Sequence, residues 1–214
     1  MKHRRGALLI KKILAPLLYR HRPVGLGPAR QYFYLDWLYK TLNVPGAVVE
    51  IGCNVGGTAA LAHKMLRQLG SSKRYVCVDT FSGFVEEQFE TDLELGNHPR
   101  RRRSFSANSL SLTRRVLSLH DAADVELIPA DILELDPASL PETISACLID
   151  VDLYQPVLTA LAKTYPRLAP GGVLLVDDCQ EETDWQARKA YGAFMEELGL
   201  ESRIEFGMGV VTAP

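Results

Sequence analysis

The sequence predicts a doubly wound α/β fold built on a mostly parallel seven-stranded sheet, with one antiparallel strand near the edge. Three observations carry that expectation. Apolar runs of strand length at 47–52, 75–79, 125–129, 145–150 and 173–177 alternate with segments of helical period. Apart from Glu50, Glu126 and the acids at their ends these runs are mainly apolar, as strands covered on both faces are. The first breaks into glycines at Gly52, Gly56 and Gly57 and leads directly into a helix pattern. A strand, a glycine turn and a helix start in that order form a nucleotide-binding device.

Length and composition agree with one globular domain. The 214 residues are 47% hydrophobic and 23% charged, enough to bury a proper core. Cys53, Cys77, Cys147 and Cys179 sit in or just beyond apolar runs without metal-type spacing, the pattern of reduced thiols in a cytoplasmic protein. Charge is uneven. Residues 1–35 carry eight Lys/Arg and no acid, which leaves 16 basic against 26 acidic residues elsewhere, a net of −10. An acidic surface argues against a nucleic-acid partner.

Taken in order, residues 1–28 read as a basic arm and 29–214 as the domain. Lys11, Lys12 and Pro16 break the arm's apolar runs, so it is too short to span a bilayer. No small-residue cleavage site follows an apolar core, which argues against a signal peptide. The arm packs on its own domain or on a second subunit, or touches anionic membrane as an amphipathic helix. Its apolar content predicts a homodimer or larger homo-oligomer. Pro23 to Pro28 is a Pro/Gly linker. A helix over 29–43 places Tyr34, Leu35, Leu38 and Leu42 on one stripe.

Next come the strand at 47–52, a helix over 56–69 ending at Gly70, and the strand at 75–79. Residues 80–103 form a long charged insertion, with five acids between Glu86 and Glu94 and four arginines from Arg100 to Arg103. Such a segment is either a solvated loop or a lid. A helix over 107–119, the strand at 125–129, a short helical piece at 137–141 and the strand at 145–150 follow. The spacing predicts a further helix over 154–167. Pro170, Gly171 and Gly172 then turn the chain into the strand at 173–177. The last helix covers 183–198, and strands at 202–206 and 208–212 close the chain with no helix between them.

Carboxylates mark the strand ends. The first turn has the form ExGxxxGG, from Glu50 to Gly57, rather than GxGxxG. An acid at Glu50 is awkward for a pyrophosphate and suits a cofactor carrying an ammonium group. The alternative is a plain tight turn. Asp79 ends the second strand 23 residues beyond Gly56 (79 − 56), where an acid bonds ribose hydroxyls, and Asp131 follows the third. Either could instead be a helix cap. Asp150 and Asp152 close the fourth strand, Asp177 and Asp178 the fifth. Neighbouring strands lie about 4.8 Å apart, so these acids repel unless a cation lies among them or one is protonated. An all-oxygen set without His or Cys selects a hard ion, Mg²⁺ foremost. Solvated strand-end caps are the alternative.

Together these residues resemble the class I S-adenosylmethionine-dependent methyltransferases, and specifically the metal-dependent macrocin-type O-methyltransferases acting on sugars of macrolides and related natural products. The matching pieces are residues 44–52, Gly56 with Gly57, 79–84, 148–154, 165–172 and 176–178, with 187–190 where the family carries a similar stretch. The resemblance covers about residues 40–213 and implies a Rossmann-like methyltransferase fold. It implies that Glu50, Gly52, Cys53, Asn54, Gly56 and Gly57 line the methionine side of the cofactor. Asp79, Thr80, Phe81 and Ser82 would surround the ribose, and Asp131 and Ile132 the adenine. Asp150, Asp177 and Asp178 would ligate Mg²⁺. Catechol-type relatives carry a lysine base three residues after the first metal aspartate; here that residue is Leu153.

The function expected is therefore Mg²⁺-dependent methyl transfer from S-adenosylmethionine to a hydroxyl of a small molecule. The acceptor would be a sugar of a natural product or glycoconjugate, or else a catechol or phenol. Asp150 or Asp152 would take the proton, and His98 would serve only if the insertion closes. Two other classes compete: a nicotinamide-dependent oxidoreductase, which lacks GxGxxG and leaves the aspartates unexplained, and a non-catalytic, membrane-associated binding protein acting through the basic arm.

Overall fold

A computed structural model describes residues 2–213. Met1 and Pro214, the outer ends of the expected arm and domain, lie outside the described residues. The chain begins with α1 (Lys2–Ile13) and the short α2 (Ala15–Leu18), then α3 (Pro28–Lys40), β1 (Ala47–Ile51), α4 (Gly57–Gln68) and β2 (Tyr75–Asp79). It continues with α5 (Glu86–Glu94), a 3₁₀ turn over Pro99–Arg103, α6 (Leu110–Leu119), β3 (Glu126–Pro129) and β4 (Ile144–Ile149). The last part comprises α7 (Tyr154–Thr164), β5 (Leu168–Val176), α8 (Ala187–Glu197), β6 (Ile204–Glu205) and β7 (Met208–Thr212).

The seven strands form one sheet in the order β3-β2-β1-β4-β5-β7-β6. Only β7 runs against its neighbours. The order reverses between β1 and β4, and in open α/β sheets a ligand crevice opens at that switch point. Successive residues of β1 face opposite sides. Val48 joins the core shared with α3, α4 and α6, whereas Val49 and Ile51 join the core under α7 and α8. Glu50 falls on the α3 side by this alternation, which decides its partners.

Three local outcomes differ from the sequence expectation. The Pro170–Gly172 stretch lies inside β5 as an irregularity rather than before it: pairing with β4 shifts from Ile144↔Leu168 to Ala146↔Val173. The insertion at 80–103 is helical, and α5 buries Phe89 and Asp92. Asp92 Oδ1 accepts the Tyr154 N–H at the start of α7 (2.9 Å), and Asn97 Nδ2 donates to its other oxygen (3.2 Å). That capping bond anchors the insertion to the domain. Third, α8 begins at Ala187 rather than 183, because the residues before it form a loop toward the crevice.

The arm lies along α6. Ala15 is buried, Lys11 Nζ donates to the Ala107 carbonyl (3.1 Å), and His120 Nε2 bonds the Tyr19 carbonyl (3.0 Å). Leu9, Ile10, Ile13 and Leu17 remain exposed. Among the described residues no helix is long and apolar enough to cross a membrane. The linker at 23–28 packs tightly, since a Cβ on Gly57 would stand 2.1 Å from the Pro23 carbonyl oxygen. Gly57→Ala is therefore expected to lift the linker from α4, costing about 1–3 kcal/mol of stability as overpacking does. Urea unfolding checks this, and an unchanged midpoint contradicts it.

Candidate active site

A cavity of about 300 Å³ opens at the carboxyl ends of β1, β2, β4 and β5. Its first wall is the turn after β1. Gly52 adopts φ +91° and Gly56 φ +81°, conformations that suit glycine. Asn54, at φ +48°, is held from three sides: its N–H donates to Asp79 Oδ2 (2.8 Å), and its carbonyl accepts from Asn108 Nδ2 and Thr113 Oγ1 (2.8 Å each). The Phe81 N–H donates to Asp79 Oδ1 (2.6 Å). Asp79 thus fixes both neighbouring turns by its carboxylate and still borders the cavity.

Glu50 is buried at the cavity floor. Tyr75 Oη donates to its Oε2 (2.5 Å), and Tyr34 Oη lies 2.8 Å from Tyr75 Oη. Burial pushes the Glu50 carboxyl up to about 8, Tyr75 opposes this, and Asp79 adds to it. A cationic ligand group would supply the charge that the floor lacks. Beyond Asp79, Asp131 Oδ1 accepts the Leu133 N–H (3.0 Å), while Gln88 of α5 donates to Oδ2 (2.5 Å). The insertion therefore closes over this end of the cavity. Lys163 of α7 braces the same loop, donating to the carbonyls of Ile132, Leu133 and Leu135 (2.7–2.9 Å).

Acids make the second wall. Asp150, Asp177 and Asp178 each offer an oxygen within 4.8 Å of the others. Burial drives the carboxyls of Asp150 and Asp152 well above the ordinary range, and repulsion from Asp177 and Asp178 pushes further. Asp177 rises to about 6 through burial and Asp178, against the pull of Arg30. Arg30 Nη1 donates to both oxygens of Asp177 (2.7 and 2.8 Å) and to Asp178 Oδ1 (2.8 Å). One guanidinium does not neutralise this many carboxylates. The all-oxygen donor set and its surplus negative charge fit a hard divalent ion.

These shifts give stability a pH dependence of definite sign. A carboxyl with a raised folded pKa holds its proton in the folded state after the unfolded chain has released it. Its contribution is complete below pH 4 and is lost as pH rises toward the folded value. With Glu50 near 8 and Asp177 near 6, the ligand-free protein should lose melting temperature between pH 5 and 8. The depressed acids Asp124, Glu126 and Asp184 complete their contribution below that window and hold it constant within it. Thermal melts in chelator test this; a midpoint rising with pH contradicts it.

Aromatic rings form the mouth. Phe84 meets Phe105 edge-on (5.6 Å) and Trp185 (5.7 Å), and Arg101 lies over the Trp185 ring (4.9 Å). Arg101 also pairs with Asp184 (3.0 Å). Among the described residues seven non-glycine positions have positive φ, and four of them border the cavity: Asn54, Phe105, Asp152 and Asp178.

Most of the residues that mark this crevice fall within 39–206, and residues 39–206 fit the macrocin-O-methyltransferase (TylF) family. The chain belongs to this family. Demethyldecarbamoylnovobiocin O-methyltransferase of Streptomyces niveus is 32% identical over 142 residues, 64% of this chain and 53% of its own length. An 8-demethyl-8-(2,3-dimethoxy-alpha-L-rhamnosyl)-tetracenomycin-C 4'-O-methyltransferase of Streptomyces olivaceus is 30% identical over 164 residues, 74% of this chain and 62% of its own length. The chain thus spans little more than half the length of these relatives. The O-methyltransferase NovP superposes with a TM-score of 0.76 at 23% identity, over 87% of this chain and 80% of its own, a likeness of fold.

Within this family member, Glu50, Gly52, Cys53, Asn54, Gly57, Asp79, Thr80, Asp131 and Ile132 line the cavity, as do Asp150, Asp152, Asp177 and Asp178. Gly56, Phe81 and Ser82 do not. Gly56 is the left-handed start of α4, where a Cβ would press on Leu117 (2.9 Å). The Phe81 ring is buried in the α3-side core, and Ser82 is exposed. His98 is exposed as well, its Nδ1 accepting the Arg100 N–H. Phe84, Gln88 and Arg101 belong to the insertion at 80–103, whose reading as a lid points to the segment without singling them out; Arg30, Phe105 and Trp185 lie outside it. For Arg30 a signal exists: a base in the first turn of a helix, with no acid there, opposes the helix dipole and needs an outside partner.

Proposed function

We propose that this protein is an S-adenosylmethionine-dependent O-methyltransferase that methylates a hydroxyl of a small-molecule glycoside, with Mg²⁺ held by Asp150, Asp177 and Asp178. The observation that carries this reading is that the Glu50–Asp79–Asp131 wall and the aspartate cluster face one cavity. When bound, S-adenosylmethionine supplies an electrophilic methyl group, and the metal ion a Lewis acid that lowers the pKa of the hydroxyl. The chain's own task is alignment, holding the acceptor oxygen at near-attack distance.

Glu50, braced by Tyr75 and Tyr34, would hold the ammonium of the cofactor's methionine portion. Asp79 would bond the ribose hydroxyls, and Asp131 with Gln88 would lie beside the adenine. Asp152 is the base we favour over Asp150, since it lines the cavity and stands outside the three-oxygen set. Leu153 is fully buried, so it leaves no lysine route at that position. Phe84, Phe105 and Trp185 offer flat apolar faces to a ring. The rhamnosyl acceptor named for the Streptomyces olivaceus relative favours a sugar hydroxyl.

Calorimetry with S-adenosylhomocysteine and with NAD⁺, followed by transfer of labelled methyl to a panel of glycosides and catechols, tests the assignment. Binding of S-adenosylhomocysteine alone and metal-dependent labelling of a glycoside are expected. Binding of NAD⁺ in its place would end this reading, and full turnover in excess chelator would remove the metal from it.

A further inference from the structure

We propose that Arg30 sets the affinity of the Asp150–Asp177–Asp178 cluster for its divalent cation, by competing with the ion for the same carboxylate oxygens. The inference rests on the metal part of the proposed function and concerns how tightly the site is loaded.

The geometry is specific. A single nitrogen of Arg30 lies within 2.8 Å of three oxygens, two of Asp177 and one of Asp178. An ion ligated by these carboxylates would share atoms with this nitrogen. Each carboxylate oxygen keeps a second lone pair, but Arg30 engages both oxygens of Asp177, so an ion taking either meets the positive charge of the guanidinium at close range. The two cations therefore compete for the same oxygens by repulsion. Its own position favours release. Arg30 stands in the first turn of α3, where the positive helix end repels a cation, and a quarter of its side chain is exposed. Its side-chain hydrogen bonds run to these carboxylates, and the residue lines the cavity.

The competition is also unequal. Arginine brings one charge, fixed to the chain and already paid for in ordering; a divalent ion brings two and satisfies the surplus that Arg30 leaves. The expected outcome is a site that is electrostatically held together before loading and whose affinity is lower than its ligands alone would give. Removing the guanidinium should strengthen ion binding, the opposite of what loss of an ordinary supporting residue does.

The test is calorimetric titration of the full chain with Mn²⁺ at constant pH, with the electron paramagnetic signal of free Mn²⁺ as a second readout. Arg30→Gln is expected to bind Mn²⁺ at least tenfold more tightly than the wild type. Arg30→Lys, which keeps the charge on a shorter arm, should fall between the two, and it carries the test if Arg30→Gln does not fold. Affinity equal to or weaker than wild type in the folded variant overturns the proposal, as does failure of wild type and variant alike to bind the ion. The two readings fail separately. Tightened Mn²⁺ binding without methyl transfer to any acceptor removes the function and leaves this inference standing, and transfer with unchanged Mn²⁺ affinity does the reverse.

Discussion

Asp177→Asn is expected to lower methyl transfer by about 10²–10³-fold, the loss typical of removing one preorganised electrostatic contact to a reacting oxygen. Affinity for S-adenosylhomocysteine should stay within about threefold. The separation follows from where Asp177 stands. It ends the β5 side of the crevice, while the groups assigned to the cofactor come from the ends of β1, β2 and β3. The backbone of Asp177 is fixed by its own bond to the Ile149 carbonyl (2.9 Å), so an amide in its place keeps the loop. What changes is charge: one of three converging carboxylates becomes neutral. Asp178→Asn should behave alike. Turnover within a few-fold of wild type in both variants, measured at saturating cofactor, would leave the cluster without a role in the reaction.

Gly52→Ala should be the most damaging single-methyl change in the chain. A Cβ there would lie 1.9 Å from the Asp150 carbonyl oxygen and 2.6 Å from its carbon, with the residue at φ +91°. A Cβ has no rotamer by which to escape, and the obstacle is backbone. The end of β1 must move away from the end of β4, which parts the two walls of the cavity. Left-handed strain of about 1–2 kcal/mol adds to overpacking of about 1–3 kcal/mol. Loss of S-adenosylhomocysteine binding and a fall in stability of about 3 kcal/mol are expected together. Gly199→Ala is the comparison: at φ +64° with nothing within 4 Å, it should show the conformational cost alone. Urea unfolding of the two variants distinguishes them, and equal losses would mean that the close approach at Gly52 does not matter.

Strands and their terminal acids were legible because each is a local signal. A buried parallel strand is apolar along its whole length, and an acid that follows one is conspicuous. Tyr34 shows the limit of such reading. Its stripe with Leu35 and Leu38 marks a buried helix face, but nothing in residues 29–43 says that its hydroxyl meets Tyr75 behind Glu50. Arg30 meets aspartates almost 150 positions away, and that pairing exists only once the chain has folded. The insertion misleads for another reason. Its charges look solvated in sequence, yet Asp92 is buried because it caps a helix it does not belong to. Local composition describes what a residue is, and these roles depend on what faces it.

The left-handed residues around the cavity carry a consequence for anyone wishing to make this protein more robust. Asn54, Phe105, Asp152 and Asp178 hold a conformation that costs about 1–2 kcal/mol in non-glycine residues, less for Asn and Asp, whose short polar side chains tolerate it. Replacing such a residue by glycine recovers part of that energy. Under the proposed function, the gain at Asp152 and Asp178 would come out of the chemistry, and at Phe105 out of the acceptor wall. At Asn54 the contacts to Asp79, Asn108 and Thr113 run through the backbone, but the residue borders the cavity on the side proposed for the cofactor. On that reading thermostability and turnover are set against one another at all four positions.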